Sequence, residues 1–291
     1  MNEPMTRISE AGPAAGVLAA AGLAEGRAEE VRMLTQDDLY YDGPGGVMPH
    51  AAHVRMPTQD DLPYDDGEPM ESQRHLYQMM LLIETLKLHW AGRDDYFVGG
   101  NMAVYFSSAQ VKHNDFRGPD FFLVLGVDGK RERKSWVVWD EDKSLDLVIE
   151  ILSESTAAFD RAGKKQIYFD NLRVPEYFYY DPYNGEFAGF ARGGGDQPIA
   201  PTLGPDQQEQ LVSRVAGLAL TRWQGEFLGI TAPWLRWATL DGKLLPTKEE
   251  VAQQAQQRAE QEHALAQQAT ERAEQLAARL RELGVDPVTL D

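Results

Sequence analysis

The sequence predicts a mixed α/β domain, in which helices pack on a central β-sheet, between an acidic leader and a long C-terminal helix. Helical periodicity over 71–90 and continuous apolar runs at 121–127 and 145–152 predict the first helix and the buried strands of the domain. Residues 248–283 contain no Gly or Pro and are rich in Ala, Gln, Glu and Arg, which predicts the long helix.

Composition and charge limit the classes of protein. The chain has 291 residues, and its 43% of hydrophobic residues is enough for a globular core, but it contains no run of 18 apolar residues that would predict a membrane-spanning helix. It has no cysteine, which excludes disulfides and cysteine zinc sites and fits a cytoplasmic location. The net charge of −18 argues against indiscriminate nucleic-acid binding, but it leaves room for a local cleft that uses a metal.

We expect residues 1–61 to form a flexible acidic leader outside the core. The first 70 residues carry 4 basic and 13 acidic side chains, a net charge of −9, and few large apolar residues, so burial does not offset the entropy of ordering them. The leader contains a duplication, VRMLTQDDLYYDG at 31–43 and VRMPTQDDLPYDDG at 54–67. The second copy leads into a domain predicted at 62–246.

Apolar periodicity and turn signals predict the elements of the domain in order. Gly99–Gly100 is typical of a tight turn between two strands, and DPYNG at 181–185 is a second turn signal. Ser155 or Thr156 is a suitable N-cap for a helix. The predicted elements are helix 71–90, strands 96–98, 102–106, 121–127, 136–139 and 145–152, helix 157–172, and the strand pair 176–180 and 187–190.

The tail, residues 247–291, is predicted to be a helix with a weak coiled-coil seam. A heptad repeat places both apolar and charged side chains on one face. Because a polar helix with a thin apolar seam gains little by standing alone, we expect the tail to form a homo-oligomer or to bind a protein partner. The seam comprises Val251, Ala255, Leu265, Ala269, Leu276 and Leu283, together with Arg258, Glu262, Arg272 and Arg279.

Two carboxylates on predicted strands are the strongest signal of chemistry. Asp120 begins the apolar run in RGPDFFLVLGV, and Glu150 lies within DLVIEIL, where an ionised side chain is costly unless it is paired or bound to a metal. Glu150 alone is also explained by a structural contact with an Arg or with the backbone. A site shared with Asp120 is the alternative, because a predicted helix with Asp160, Lys164 and Tyr168 follows.

The ordered set of motifs resembles the PD-(D/E)XK nuclease superfamily, whose members have the restriction-endonuclease-like fold. More narrowly, PDFFLVL, DLVIEILSEST, D-x-x-x-K-x-x-x-Y and VPEYFYYDP are similar to the Uma-two family of endonucleases, formerly a domain of unknown function. These motifs begin at Pro119, Asp146, Asp160 and Val174, and the resemblance covers about residues 62–245. It implies a mixed central sheet flanked by helices.

The resemblance also implies a divalent-metal site and a catalytic lysine. Asp120, Glu150 and the backbone carbonyl of Ile151 would bind Mg²⁺ or Mn²⁺, since these cations prefer oxygen ligands. In the superfamily pattern the lysine stands two residues after the second carboxylate, and that position is Leu152 here. The family resemblance therefore places the lysine at Lys164 on the following helix.

Other residues have a structural as well as a functional explanation. Glu71 is a further candidate metal ligand, but a favourable interaction with the N-terminus of the first helix also explains it. His75, one turn later, has the same two explanations. Tyr168 is expected in the core. The densest basic cluster is either a solvated turn or a loop that contacts phosphates; it comprises Arg131, Arg133 and Lys134.

The sequence leaves two functions open. The first is a metal-dependent endonuclease that hydrolyses phosphodiester bonds of DNA, with Asp120, Glu150 and Lys164 as catalytic residues. The second is a catalytically silent nuclease-fold protein that acts as a binding or assembly module through its helical tail. The retained carboxylates and Lys164 favour the first function, whereas the net charge of −18 and Leu152 favour the second.

Overall fold

The structure, a computed structural model, describes residues 56–64, 72–107, 117–153, 160–193, 196–205 and 207–284. The predicted leader up to residue 55 and the candidate ligand Glu71 lie outside the described residues. The same holds for the side chain of Asp160, whose backbone alone is described.

A mixed sheet forms the centre of the domain, as predicted, and in the described residues it has six strands. Its strands lie in the order β1-β3-β5-β6-β7-β8, and β5 and β6 are parallel while the other neighbours are antiparallel. The apolar runs became β3 and β5, whose residues are almost all buried because both faces of the sheet are covered. The strands are β1 Tyr96–Gly99, β3 Phe121–Leu125, β5 Leu147–Ile151, β6 Glu176–Tyr180, β7 Phe187–Arg192 and β8 Asp196–Pro198.

The hairpin predicted around Gly99–Gly100 is wrong. β1 pairs with β3, whereas β2 (Val104–Tyr105) leaves the central sheet and pairs in parallel with β4 (Trp136–Val137). The chain instead passes the start of β3, where Asn101 N–H donates to the carbonyl of Pro119 over 2.9 Å. A Cβ atom at residue 100 would lie 2.8 Å from the carbonyl oxygen of Asp120, so the glycine serves a close approach of two backbone segments.

One face of the central sheet is covered by the first helix and a second sheet. Helix α1 (Gln73–His89) is capped by Ser72, whose hydroxyl accepts from His75 N–H. The second sheet is antiparallel, in the order β12-β11-β10-β9. Apolar side chains from both sheets and from α1 form one core cluster. The strands are β9 Thr202–Leu203, β10 Glu209–Ser213, β11 Leu218–Phe227 and β12 Ile230–Ala238.

A buried glutamine joins α1 to the second sheet. Gln78 is completely buried, and its side-chain amide donates to the carbonyl of Leu235 over 2.8 Å. Its amide oxygen accepts from Leu235 N–H over 2.9 Å. Both polar ends of the side chain are therefore satisfied by one residue of β12, which fixes the helix against the sheet.

The opposite face of the central sheet carries β4, the short helix α2 (Val138–Glu141) and helix α3 (Lys165–Asp170). The continuous helix predicted over 157–172 is wrong in part, because a π-turn at Asp160–Lys164 precedes α3. Gly163 lies within this turn and lowers the preference of the segment for a regular α-helix. π-turns of this kind occur often at functional sites.

The second copy of the duplicated segment packs on the domain. Leu62 is buried against Tyr105, and the carbonyl of Pro63 accepts from the Tyr105 hydroxyl over 2.5 Å. Trp139 Nε1 donates to the carbonyl of Pro57 over 2.7 Å. Contacts with the domain thus extend toward the N-terminus as far as Pro57.

The described part of the tail forms one long helix, α4 (Lys248–Glu282), in which no residue is buried. A capping box begins it: the Thr247 hydroxyl accepts from Glu250 N–H, and the Glu250 carboxylate accepts from Thr247 N–H. The buried Arg236 guanidinium also binds Glu250, over 2.7 and 2.9 Å, and so ties the start of α4 to β12. In the described part of the chain, no helix is long and apolar enough to cross a membrane.

Candidate active site

Asp120 and Glu150 lie at the same end of neighbouring strands. β3 and β5 are antiparallel, with Phe121 opposite Ile149, so the next residues outward along the two strands are Asp120 and Glu150. Residues that face each other across an antiparallel pair project to the same side of the sheet. The two carboxylates therefore share one face, although they are 30 positions apart in the sequence.

Asp120 is held at both carboxylate oxygens. His75 Nε2 donates to Oδ1 over 2.6 Å, and the N–H of Ile151 donates to Oδ2 over 2.7 Å. Only 8% of the residue is exposed. Burial raises the pKa of Asp120, but the hydrogen bond and charge of His75 and the charge of Lys164 help to outweigh it, so the pKa is lowered overall. Asp120 is thus kept ionised inside the protein.

Glu150 is completely buried and has a partner at each oxygen. The Tyr168 hydroxyl donates to Oε1 over 2.7 Å, and Lys164 Nζ lies 3.2 Å from Oε2. Burial, followed by the charge of Glu150, raises the pKa of Tyr168 well above its ordinary value, so this hydroxyl stays protonated and donates. A buried carboxylate with two donors is compensated for the loss of water.

The lysine beside Glu150 comes from the π-turn and not from the strand. Leu152, at the position where the superfamily pattern has its lysine, is 1% exposed and packs in the core. The Lys164 side chain is 20% exposed, and its ammonium group contacts Glu150. Lys165 points elsewhere, since its Nζ lies 4.0 Å from the centre of the Phe190 ring.

Tyr168 and His75 contact the two carboxylates, although the sequence carries no strong sign that either belongs to the site. Tyr168 is buried, as expected of a core residue, but its hydroxyl contacts Glu150, and its position four residues after Lys164 was the available signal. His75, on α1, contacts Asp120, the residue before β3, and no local pattern predicts this contact.

The basic cluster near residue 133 is engaged with carboxylates. Arg131 lies 3.1 Å from Asp140, and Arg133, which is 9% exposed, makes a two-pronged contact with Glu141 over 2.8 and 2.9 Å. Lys134 lies 2.9 Å from Asp60. These contacts favour the structural explanation of the cluster over a phosphate-binding loop.

The ligand types at the site fit a hard divalent cation. Within the described ranges, no three His, Cys, Asp or Glu residues form a group that could hold a metal ion. The available donors are the two carboxylates and the backbone of Ile151, which lies beside Asp120. Carboxylate and carbonyl oxygens are the ligands that Mg²⁺ and Mn²⁺ prefer, and Mg²⁺ usually keeps several waters.

Comparison with known families identifies the domain. The sequence model of the Uma2 family, described as "Putative restriction endonuclease", matches residues 51–222, more than half of the chain. The chain belongs to the Uma2 family. The resemblance expected from the motifs is confirmed, and Uma2 membership supports a nuclease function and the restriction-endonuclease-like assignment of the mixed sheet.

The Uma2 protein was also compared with solved structures and with curated proteins. It is similar to the crystal structure of a "putative nuclease belonging to DUF820" from Anabaena variabilis ATCC 29413, with 14% sequence identity and a TM-score of 0.35. The match covers 52% of this chain and 90% of that one. A comparison with curated proteins found no match.

Proposed function

We propose that this protein is a metal-dependent endonuclease that hydrolyses phosphodiester bonds of DNA. One observation carries the proposal: two buried carboxylates, Asp120 and Glu150, face each other at the ends of adjacent strands, and Lys164 lies 3.2 Å from one of them. Uma2 membership supports the same class of reaction. We propose a leader at 1–61, of which Pro57 and Asp60 contact the domain, a nuclease domain at 62–246 and a helical tail at 247–291.

Asp120, Glu150 and the carbonyl of Ile151 are the proposed ligands of Mg²⁺ or Mn²⁺. Restriction-endonuclease-like proteins generally use divalent metals. When bound, the cation would neutralise phosphate charge and supply a nucleophilic water. Asp120 suits this role because its lowered pKa keeps the ligand ionised at neutral pH.

Lys164 is proposed as the catalytic lysine. Its side chain is partly exposed and its ammonium group lies beside Glu150, so Lys164 could donate to phosphoryl oxygens on which negative charge develops. Tyr168 and His75 would act as positioning residues, because each orients one carboxylate through a single short hydrogen bond. The π-turn is what brings Lys164 to the strand end despite Leu152.

Cleavage of supercoiled plasmid DNA tests the proposal. With Mg²⁺ or Mn²⁺ the purified protein should relax or linearise the plasmid, and an excess of EDTA should prevent this. Asp120→Asn should remove cleavage while the protein stays folded. The matched control is Asp170→Asn, which changes an exposed carboxylate on α3 and should leave cleavage unchanged. Equal cleavage by the Asp120→Asn variant and the wild type would contradict the proposal.

The second candidate is a catalytically silent binding or assembly module. It is favoured by one observation: all four oxygens of the two carboxylates already interact with protein groups in the structure. Such a protein would bind DNA, or a partner through α4, without turnover. Retention of a DNA fragment on the protein together with an intact plasmid in the presence of Mg²⁺ would favour this function over the first.

A further inference from the structure

Helix α4 presents an unpartnered face to solvent. Every residue from Val251 to Leu276 is exposed, and the exposed fractions of Leu265, Leu276 and Leu283 are 65%, 58% and 72%. Along the described helix beyond Glu250, the side chains form no ion pair with one another. A polar helix of this length with neither buried residues nor internal ion pairs is expected to be stabilised by a partner.

The most apolar stripe of α4 shares every second residue with the predicted seam and replaces each of the others by the residue that follows it. Alternating steps of three and four residues give a heptad stripe in which only Glu262 is polar, whereas the predicted seam carries four charged side chains. The side chains of the stripe are small at the N-terminal end of the helix and large at its C-terminal end. It comprises Ala252, Ala255, Ala259, Glu262, Ala266, Ala269, Ala273, Leu276, Leu280 and Leu283.

We infer that α4 pairs with the same helix of a second copy in antiparallel orientation. In an antiparallel pair centred between residues 267 and 268, facing residues have numbers that add up to 535. Each leucine of the stripe then faces an alanine, and two copies of each pair form. Since a large residue meets a small one in each of these layers, the helices keep a similar separation there, and the central layers pair Ala266 with Ala269. The mixed pairs are Leu283 with Ala252, Leu280 with Ala255, and Leu276 with Ala259.

The charge on the stripe selects the same orientation. In a parallel pair Glu262 would face Glu262 of the other copy, and like charges across an interface are unfavourable. In the antiparallel pair Glu262 faces Ala273, next to the Arg272 side chain of the other copy. A parallel pair would also set leucine against leucine at one end and alanine against alanine at the other. Size and charge thus both favour the antiparallel pair.

Cysteine cross-linking tests both the pairing and its orientation, because the chain has no cysteine of its own. The variants Ala259→Cys and Leu276→Cys are mixed as full-length proteins and oxidised. We expect a covalent dimer from the mixture and little from either variant alone. In the antiparallel pair, equal positions at residue 259 are separated along the axis by 17 residues, about 25 Å at 1.5 Å per residue.

The control pair Gln257→Cys and Ala278→Cys lies at the same level but on the outer face of the helix, so its mixture should not cross-link. The inference is overturned by a covalent dimer from a single variant alone, which indicates a parallel pair. It is equally overturned by control and test mixtures that cross-link alike, or by a test mixture that does not cross-link.

An exchange of side-chain sizes gives an independent test without oxidation. Ala259→Leu sets leucine against Leu276, and Leu276→Ala leaves a gap opposite Ala259, so each should raise the dimer dissociation constant by about tenfold or more. The double variant exchanges the two sizes and should restore dimerisation to within about threefold of wild type, a margin within the usual scatter of additive effects. Light scattering that shows a monomeric wild type, or no restoration in the double variant, would overturn the inference.

Discussion

Replacement of Tyr168 by Phe removes one hydroxyl group from the interior of the site and leaves the ring in place. The ring is stacked on Tyr177, with 5.6 Å between the ring centres, and 1% of the residue is exposed. The change deletes the 2.7 Å hydrogen bond to Oε1 of Glu150, a residue with no exposed surface. Water therefore has no direct access with which to replace the lost donor.

The cost of this change follows from burial and charge. A hydrogen bond to a charged group contributes about 1.5–3 kcal/mol to the free energy of unfolding. Because the acceptor here is buried, we expect the loss of its donor to cost an amount near the middle or top of that range. Lys164 remains at the other oxygen of Glu150, so the carboxylate keeps one partner. We expect Tyr168→Phe to lower the free energy of unfolding by about 2 kcal/mol.

Tyr180, on β6 beside the strand that carries Glu150, provides a control. Its hydroxyl is buried without a hydrogen bond of normal geometry among the described residues, and burial raises its pKa to about 12, against a smaller lowering by the charge of Arg74 and by a contact with it that is too poor in geometry to replace a full hydrogen bond. Tyr180→Phe should change the free energy of unfolding by less than about 1 kcal/mol. Urea denaturation followed by circular dichroism gives both values from the midpoints at unchanged slope. Equal losses from the two variants would refute the reasoning.

Two further predictions concern the start of α4 and the backbone beside Asp120. The pKa of Glu250 is lowered from 4.5 by the hydrogen bond from Arg236, against the effect of burial, so its contribution to stability is complete above about pH 4.5 and is lost as the pH falls through the lowered value. Thermal melts from pH 7 to pH 3 should show an acid loss for the wild type that is smaller in Glu250→Gln; parallel curves would count against this. Gly100→Ala should lower stability by about 1–3 kcal/mol and reduce cleavage, because its Cβ would meet the Asp120 carbonyl at 2.8 Å. Gly92→Ala, with open space around the new Cβ, should stay within about 0.5 kcal/mol, and a similar loss from both would contradict the prediction.

The strands of the domain could be predicted better than their pairing. β3 and β5 are continuous apolar runs because both of their faces are buried, and this pattern is local. The hairpin around Gly99–Gly100 was wrong because glycine serves two purposes that look alike in a sequence. One is a tight turn; the other, which the structure shows, is a close approach of the chain to the carbonyl of Asp120.

The site could be predicted only in part, because some of its features are local in the sequence and others depend on packing. A carboxylate inside an apolar run, such as Glu150, is costly and therefore visible without a structure. The contacts of His75 and Tyr168 depend on how α1 and α3 pack on the sheet, and neither residue type is unusual where it stands. Lys164 and Tyr168, four residues apart, both contact Glu150, as residues on one face of a helix would, but no pattern in the sequence predicted the π-turn at Asp160–Lys164.

The rate of plasmid cleavage by Lys164→Ala, compared with that of Lys165→Ala, tests the central claim most directly. The two lysines are neighbours, but only Lys164 contacts Glu150, whereas Lys165 lies over the Phe190 ring. With Mg²⁺ present and both variants folded by circular dichroism, we expect Lys164→Ala to lose about 100-fold or more in rate, as for the removal of a group that stabilises transition-state charge. Lys165→Ala should cleave like the wild type. A wild-type rate from Lys164→Ala, or equal loss from both variants, would contradict the account.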